Sequence, residues 1–179
     1  MSVKCDPLAL DGLVAALGHA LRQRQQRMAT AESCTGGLIA AACTAVAGSS
    51  DWFERGFVTY SNEAKVSMLG VDPQTLATHG AVSEAVAAAM VRGALAHAPV
   101  QWAVAVTGIA GPGGAVPGKP VGTVWIAWGD ATRVQAQRVW LAGDRRAVRE
   151  QTVRLALQAL AAELGVADAP FPAAAGDPG

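Results

Sequence analysis

The chain has 179 residues, 51% of them hydrophobic, which is enough to bury a core and the length of one domain rather than two. Its 14 basic and 14 acidic residues cancel, and no Lys/Arg-rich run is present to neutralise a phosphate backbone or an acidic membrane surface, so nucleic acid is excluded as a partner. Apolar stretches break well before the roughly 18 residues that a bilayer span needs, and Met1 to Pro7 carries no signal pattern, which leaves no membrane role and a cytoplasmic reading. Cys5, Cys34 and Cys43 follow no disulfide or zinc spacing.

Leu8 to Leu21 repeats apolar residues at helical spacing (Leu10, Leu13, Val14, Leu17, Leu21) and predicts a first helix. Met28 to Ala31 is a short apolar strand that turns at Ser33 to Gly37 into a second helix through Leu38, Ile39, Ala42 and Val46, closed by Gly48. Phe57 to Tyr60 reads as a strand running into Ser61, the expected N-cap of a helix over Asn62 to Leu69. Ser83 caps a further amphipathic helix through Ala87, Met90, Val91 and Leu95. Trp102 to Val106 is a buried-type strand, followed by the glycine- and proline-rich loop Gly108 to Pro120. Val121 to Trp128 and Arg133 to Leu141 form a hairpin around Gly129 and Asp130, and a last helix covers Arg145 to Leu164. Alternating helices and strands predict an α/β fold, a layered α/β/α domain with a mixed sheet. That domain is expected over residues 8–165, with residues 1–7 an extension and residues 166–179 a disordered Ala/Pro/Gly tail.

Four places carry chemistry. In "TAESCTGGL", a serine between a strand end and a helix start can face a cleft, with Thr35, Gly36 and Gly37 offering backbone N–H groups to a developing oxyanion. The commoner fate of a serine there is a helix N-cap. A serine nucleophile also needs a base. His19, His79 and His97 sit in no triad-like setting, whereas Lys65 lies in "TYSNEAK" with Tyr60, Ser61 and Asn62, where a strand meets a helix. Lysine acts as a base near neutrality only when desolvation or a nearby positive charge favours its neutral form. "TGIAGPGGAVPGKP" lets backbone approach a ligand at Thr107, Gly108 and Gly111 but matches no nucleotide-binding pattern. In "GDRRAVR", Arg145 and Arg149 stand one helical turn apart, able to clamp a phosphate or to pair with acidic neighbours.

Taken together, "AESCTGG", "GFVTYSNEAK", "GAVS", "TGIAGPGG", "KPVGTVW" and "GDRRAVR" resemble, in that order, the C-terminal domain of the competence/damage-inducible protein CinA, which also occurs alone as nicotinamide-nucleotide amidase. The family's larger N-terminal domain has no counterpart among these motifs. The resemblance implies a deamidase that converts nicotinamide mononucleotide to nicotinate mononucleotide and ammonia, with no metal and no cofactor. It also implies Ser33 as nucleophile, Lys65 as base, Tyr60 beside them, and a homodimer. The glycine loop and the arginines are then left to recognise phosphate and ring. The alternative is a binding module that senses a pyridine nucleotide without cleaving it, which needs the glycines and arginines but not the Ser33 and Lys65 pair. A penicillin-binding type of hydrolase is disfavoured, because Ser61 to Lys65 is S-x-x-x-K and no K-T-G follows.

Overall fold

The computed structural model describes residues 10–166. The expected extension over 1–7 and the tail from residue 167 onward lie outside them. Val166, counted with the tail from sequence, packs partly buried against the core. In chain order the elements are α1 (Leu10–Gln23), β1 (Met28–Glu32), α2 (Leu38–Thr44), a 3-10 turn (Ser49–Asp51), β2 (Phe53–Val58), α3 (Asn62–Leu69), α4 (Pro73–His79), α5 (Glu84–His97), β3 (Trp102–Gly108), β4 (Thr123–Gly129), β5 (Val134–Trp140) and α6 (Arg145–Glu163).

The strands form one mixed sheet in the order β2-β1-β3-β4-β5. β1 runs parallel to both β2 and β3, and the β3–β4 and β4–β5 pairs are antiparallel. Period-two alternation separates the two faces. Met28, Val104, Val106, Val124 and Ile126 join the core beneath α1, α2 and α6. Ala29, Ala31, Ala103, Ala105 and Ala127 join the core beneath α5, where small side chains let that helix lie close to the sheet. The result is the expected α/β/α layering.

Two elements differ from the sequence reading. β2 begins at Phe53 rather than Phe57 and ends at Val58, before Tyr60. It is an edge strand whose register against β1 slips at Glu54, Met28 pairing with Phe53 but Ala29 with Arg55, so Phe53 and Phe57 are buried on opposite faces and no simple alternation marks the strand. α4 was not expected at all. Asp72 caps it by accepting from Gln74 N (3.0 Å), and Pro73 takes the first helical position, where its missing N–H costs nothing.

Of the three hairpin tryptophans Trp128 is buried, and Trp125 and Trp140 are partly exposed. Trp128 packs under α6, Trp125 lies on the α5 side, and Trp140 donates its Nε1–H to Val121 O at 3.0 Å.

Candidate active site

The parallel strands β1, β2 and β3 all open at their C-terminal ends onto the same cavity. β1 is also the strand from which the chain first crosses to one side, to β2, and later to the other, to β3. That reversal is where open α/β sheets form ligand crevices. Pairing continues one residue past the strands, because Ser33 N donates to Val106 O (3.1 Å) and Thr59 N donates to Glu32 O (2.8 Å). The first residues of both loops are therefore held as firmly as the sheet itself.

Ser33 does not cap a helix. The N-cap of α2 is Gly37, with no side-chain cap, and the Ser33 hydroxyl points instead toward α3. Lys65 lies on α3, whose start is fixed by Ser61 Oγ accepting from Ala64 N at 3.0 Å. From there the Lys65 side chain, only 1% exposed, donates from Nζ to Ser33 Oγ (3.1 Å) and to Thr59 O (2.9 Å). Neither partner is a carboxylate. Burial therefore pushes the Lys65 amine below the ordinary lysine range, toward the neutral form that a base requires.

Ser33, Tyr60, Asn62, Lys65, Thr107, Gly108 and Arg145 line one cavity of about 210 Å³. Tyr60 is 60% exposed, and its hydroxyl accepts from Arg145 Nη2 at 2.8 Å, while Arg145 Nη1 donates to Gly111 O at 2.8 Å. Arg145 thus bridges the loops after β2 and β3 at the cavity mouth. A larger, apolar groove of about 500 Å³ between α3 and α4 offers Asn62 and Glu63 but no nucleophile beside a base.

The remaining expected residues stand behind the cavity, not in it. Gly36 and Gly37 do not offer free oxyanion donors, because Gly36 N donates to Ser33 O (3.0 Å) and Gly37 N to Glu32 Oε2 (3.0 Å). Both have positive φ, 60° and 101°, which is why glycines stand there. The Thr35 side chain is fully buried, its hydroxyl donating to Glu32. Arg149 is parted from Arg145: its Nε donates to Cys34 O (3.1 Å) and its Nη2 to Thr35 O (2.9 Å), so it grips the turn from outside.

Two contributions were missed from sequence. Ala81 and Val82, in the loop after α4, form a cavity wall pinned by Thr107 Oγ1 donating to Ala81 O at 2.9 Å. Glu32, fully buried, accepts five hydrogen bonds: from Thr30 Oγ1, Thr35 Oγ1 and the amides of Gly37, Ile39 and Ala40. Cys34, beside the serine, has its thiol pushed up to about 12, first by burial and then by the charge of Glu32.

The sequence model of the CinA C-terminal domain matches residues 10–164. The chain belongs to that family. It is 54% identical over 155 residues to a nicotinamide-nucleotide amidohydrolase PncC of Pseudomonas putida, covering 87% of this chain and 96% of that protein. It is also 54% identical over 145 residues to the protein of the same name from Escherichia coli K12, covering 80% and 88% respectively. The crystal structure of competence damage-inducible protein A from Klebsiella pneumoniae superposes with a TM-score of 0.85 at 45% identity, over 87% of this chain and 97% of that one. Within the CinA C-terminal fold, the cavity lies where the motifs after β1, β2 and β3 converge.

The buried amine has a consequence for stability. A lysine whose folded-state pKa is depressed costs stability at low pH, where it must carry its proton in both states. That cost disappears as pH rises through the folded value toward the unfolded one near about 10.4, since the unfolded chain then binds more protons. The stability of the parent chain relative to Lys65→Met is therefore expected to rise between neutral pH and about 10. Urea titrations of both proteins across that range check this, and a difference that stays flat or falls would mean that Lys65 is not held toward neutrality.

Proposed function

We propose that this chain hydrolyses the carboxamide of a nicotinamide nucleotide, nicotinamide mononucleotide being the expected substrate, with Ser33 as nucleophile and Lys65 as base. The reading rests on one observation above the others: a buried amine without a carboxylate partner stands 3.1 Å from a serine hydroxyl in a cavity. The names of the similar proteins supply the substrate class.

With Lys65 neutral, the same contact runs in reverse, the Ser33 hydroxyl donating to the Nζ lone pair. Ser33 Oγ attacks the carboxamide carbon and its proton passes to Nζ. The tetrahedral intermediate then collapses as the Lys65 ammonium returns a proton to the departing nitrogen, releasing ammonia and leaving an acyl ester on Ser33. Water attacks that ester with Lys65 again as base, giving the carboxylate and restoring the serine. Thr59 O keeps one Nζ proton engaged, so the lone pair stays aimed at Ser33. With Gly36 and Gly37 committed and Thr35 behind the cavity, the amide of Cys34, which lines it, is the turn donor left for the oxyanion. The cavity is smaller than the roughly 300–1,000 Å³ of sites that enclose a whole drug-sized ligand, so it receives the pyridine carboxamide and leaves the ribose phosphate at the mouth, near Arg145. The catalytic domain is taken as residues 8–165, in a cytoplasmic protein whose Cys34 and Cys43 remain free.

Ammonia release from purified protein with nicotinamide mononucleotide tests the reaction. Ser33→Ala is expected to abolish release, while Cys34→Ala or alkylation at neutral pH spares most of it, because the buried thiol carries almost no thiolate. Binding of the nucleotide without any release would favour the sensing module instead.

Arg145 and Arg149 now carry different expectations. Arg145→Ala should weaken nucleotide binding by about 1.5–3 kcal/mol, the worth of a charged hydrogen bond, and change binding of nicotinamide riboside much less. Arg149→Ala should affect nucleotide and riboside alike, because that side chain holds the turn. Equal losses on both ligands for Arg145→Ala would remove the phosphate from its neighbourhood.

Homodimer assembly is part of the proposal and rests on family resemblance. Light scattering at micromolar concentration is expected to give twice the chain mass, and a monomer mass would count against it.

A further inference from the structure

Building on the proposed acyl transfer, we infer that Glu32 is a positioning residue: its carboxylate fastens the turn that carries Ser33 and the neighbouring amides, and so sets where the nucleophile stands. Glu32 and Ser33 are adjacent and point to opposite faces of the sheet, as neighbours in extended chain must. Glu32 lines no part of the cavity and does not bond to Lys65; whatever it contributes reaches the chemistry through the turn.

The grip is specific in its geometry. Oε2 accepts from Thr35 Oγ1 (2.6 Å), Gly37 N (3.0 Å) and Ile39 N (3.0 Å), while Oε1 accepts from Ala40 N (2.8 Å) and Thr30 Oγ1 (3.3 Å). One acceptor-only group thus joins the strand before the serine, the turn after it and the first turn of α2. A local Ser or Asp cap would tie down only the helix. On the outer side, Arg149 holds the carbonyls of Cys34 and Thr35. Because a trans peptide sets its C=O and the next N–H on opposite sides, fixing Cys34 O also fixes the direction of the Thr35 N–H. The turn is held through its amides by an anion and through its carbonyls by a cation. Ser33 is left at the one point where its oxygen meets Lys65.

The test compares the parent chain with Glu32→Gln and Thr35→Val. Glutamine keeps the shape but turns one acceptor into a donor facing amide donors. Valine keeps the volume of threonine and removes one of the five bonds. Both are measured for folding by circular dichroism and thermal melting, and for kcat, KM and the pH profile of kcat. A misplaced nucleophile is expected to lower kcat by about tenfold to a hundredfold in Glu32→Gln, and less in Thr35→Val, with KM little changed. The pH limb set by Lys65 should stay in place, since Glu32 does not touch that amine. A purely structural role would lower the melting temperature and leave kcat of the folded protein intact. Folded variants with kcat within about twofold of the parent, or with the loss confined to KM, would overturn the inference. If Glu32→Gln does not fold, Thr35→Val decides by the same criterion. A parent chain that releases no ammonia would overturn the proposed reaction and this inference together, whereas an active parent with unaffected variants overturns only the inference.

Discussion

A buried amine with no carboxylate beside it is the constraint around which this site is arranged. Lys65 is among the largest fully buried side chains of the fold, and its polar partners are one hydroxyl and one carbonyl. Keeping the charge there would cost several kcal/mol, so the group moves toward neutrality, the state that the proposed role as base requires. The surrounding features follow from that requirement. Ser61 fixes the start of α3, the β1–β2 pairing carries Thr59 O to the amine, and the first turn of α3 sends the side chain inward.

The domain buries a carboxylate and an amine on either side of Ser33, the proposed nucleophile, and treats them oppositely. Lys65 has too few partners for a stable charge, whereas Glu32 has more donors than its two oxygens commonly receive. In the proposed reaction the under-partnered group is the base and the over-partnered one holds the turn. Charge alone would not distinguish them. The difference lies in what each element presents: β1 ends against the bare amides of α2, while α3 brings its lysine beneath a strand end that offers only one carbonyl.

Much of this was legible in the sequence because the fold alternates and its punctuation is strong. The apolar strands Met28–Glu32 and Trp102–Gly108, the Ser61 and Ser83 caps and the hairpin all carry local signals that tertiary packing did not override. The failures have local causes too. β2 is an edge strand whose register slips at Glu54, and the extra residue breaks the period. α4 begins with an Asp-Pro pair that was passed over between longer helices, although Asp72 as cap and Pro73 after it are a start signal. Arg145 and Arg149 shared a helix face by spacing, but a turn of helix separates the cavity mouth from the outside of the serine turn. Glu32 escaped notice because a single acidic residue at a strand end is ordinary. Its clue was downstream, in a helix opening with Gly-Gly-Leu and no capping side chain of its own.

The adjacent cysteine shows how little of a site's chemistry follows from residue type. A thiol is intrinsically the better nucleophile, and Cys34 stands one residue from the serine and touches the same cavity. Yet it packs in the apolar cluster beneath α2 and α6, where desolvation raises its pKa to about 12 and the Glu32 charge opposes the thiolate further. Lys65 and Arg149 pull the other way without offsetting burial. In the proposed reaction the hydroxyl needs no such ionisation, because a neutral amine takes its proton only as the bond to carbon forms. Burial first and the Glu32 charge after it keep the Cys34 thiol protonated, which in the proposed reaction leaves the serine as the nucleophile.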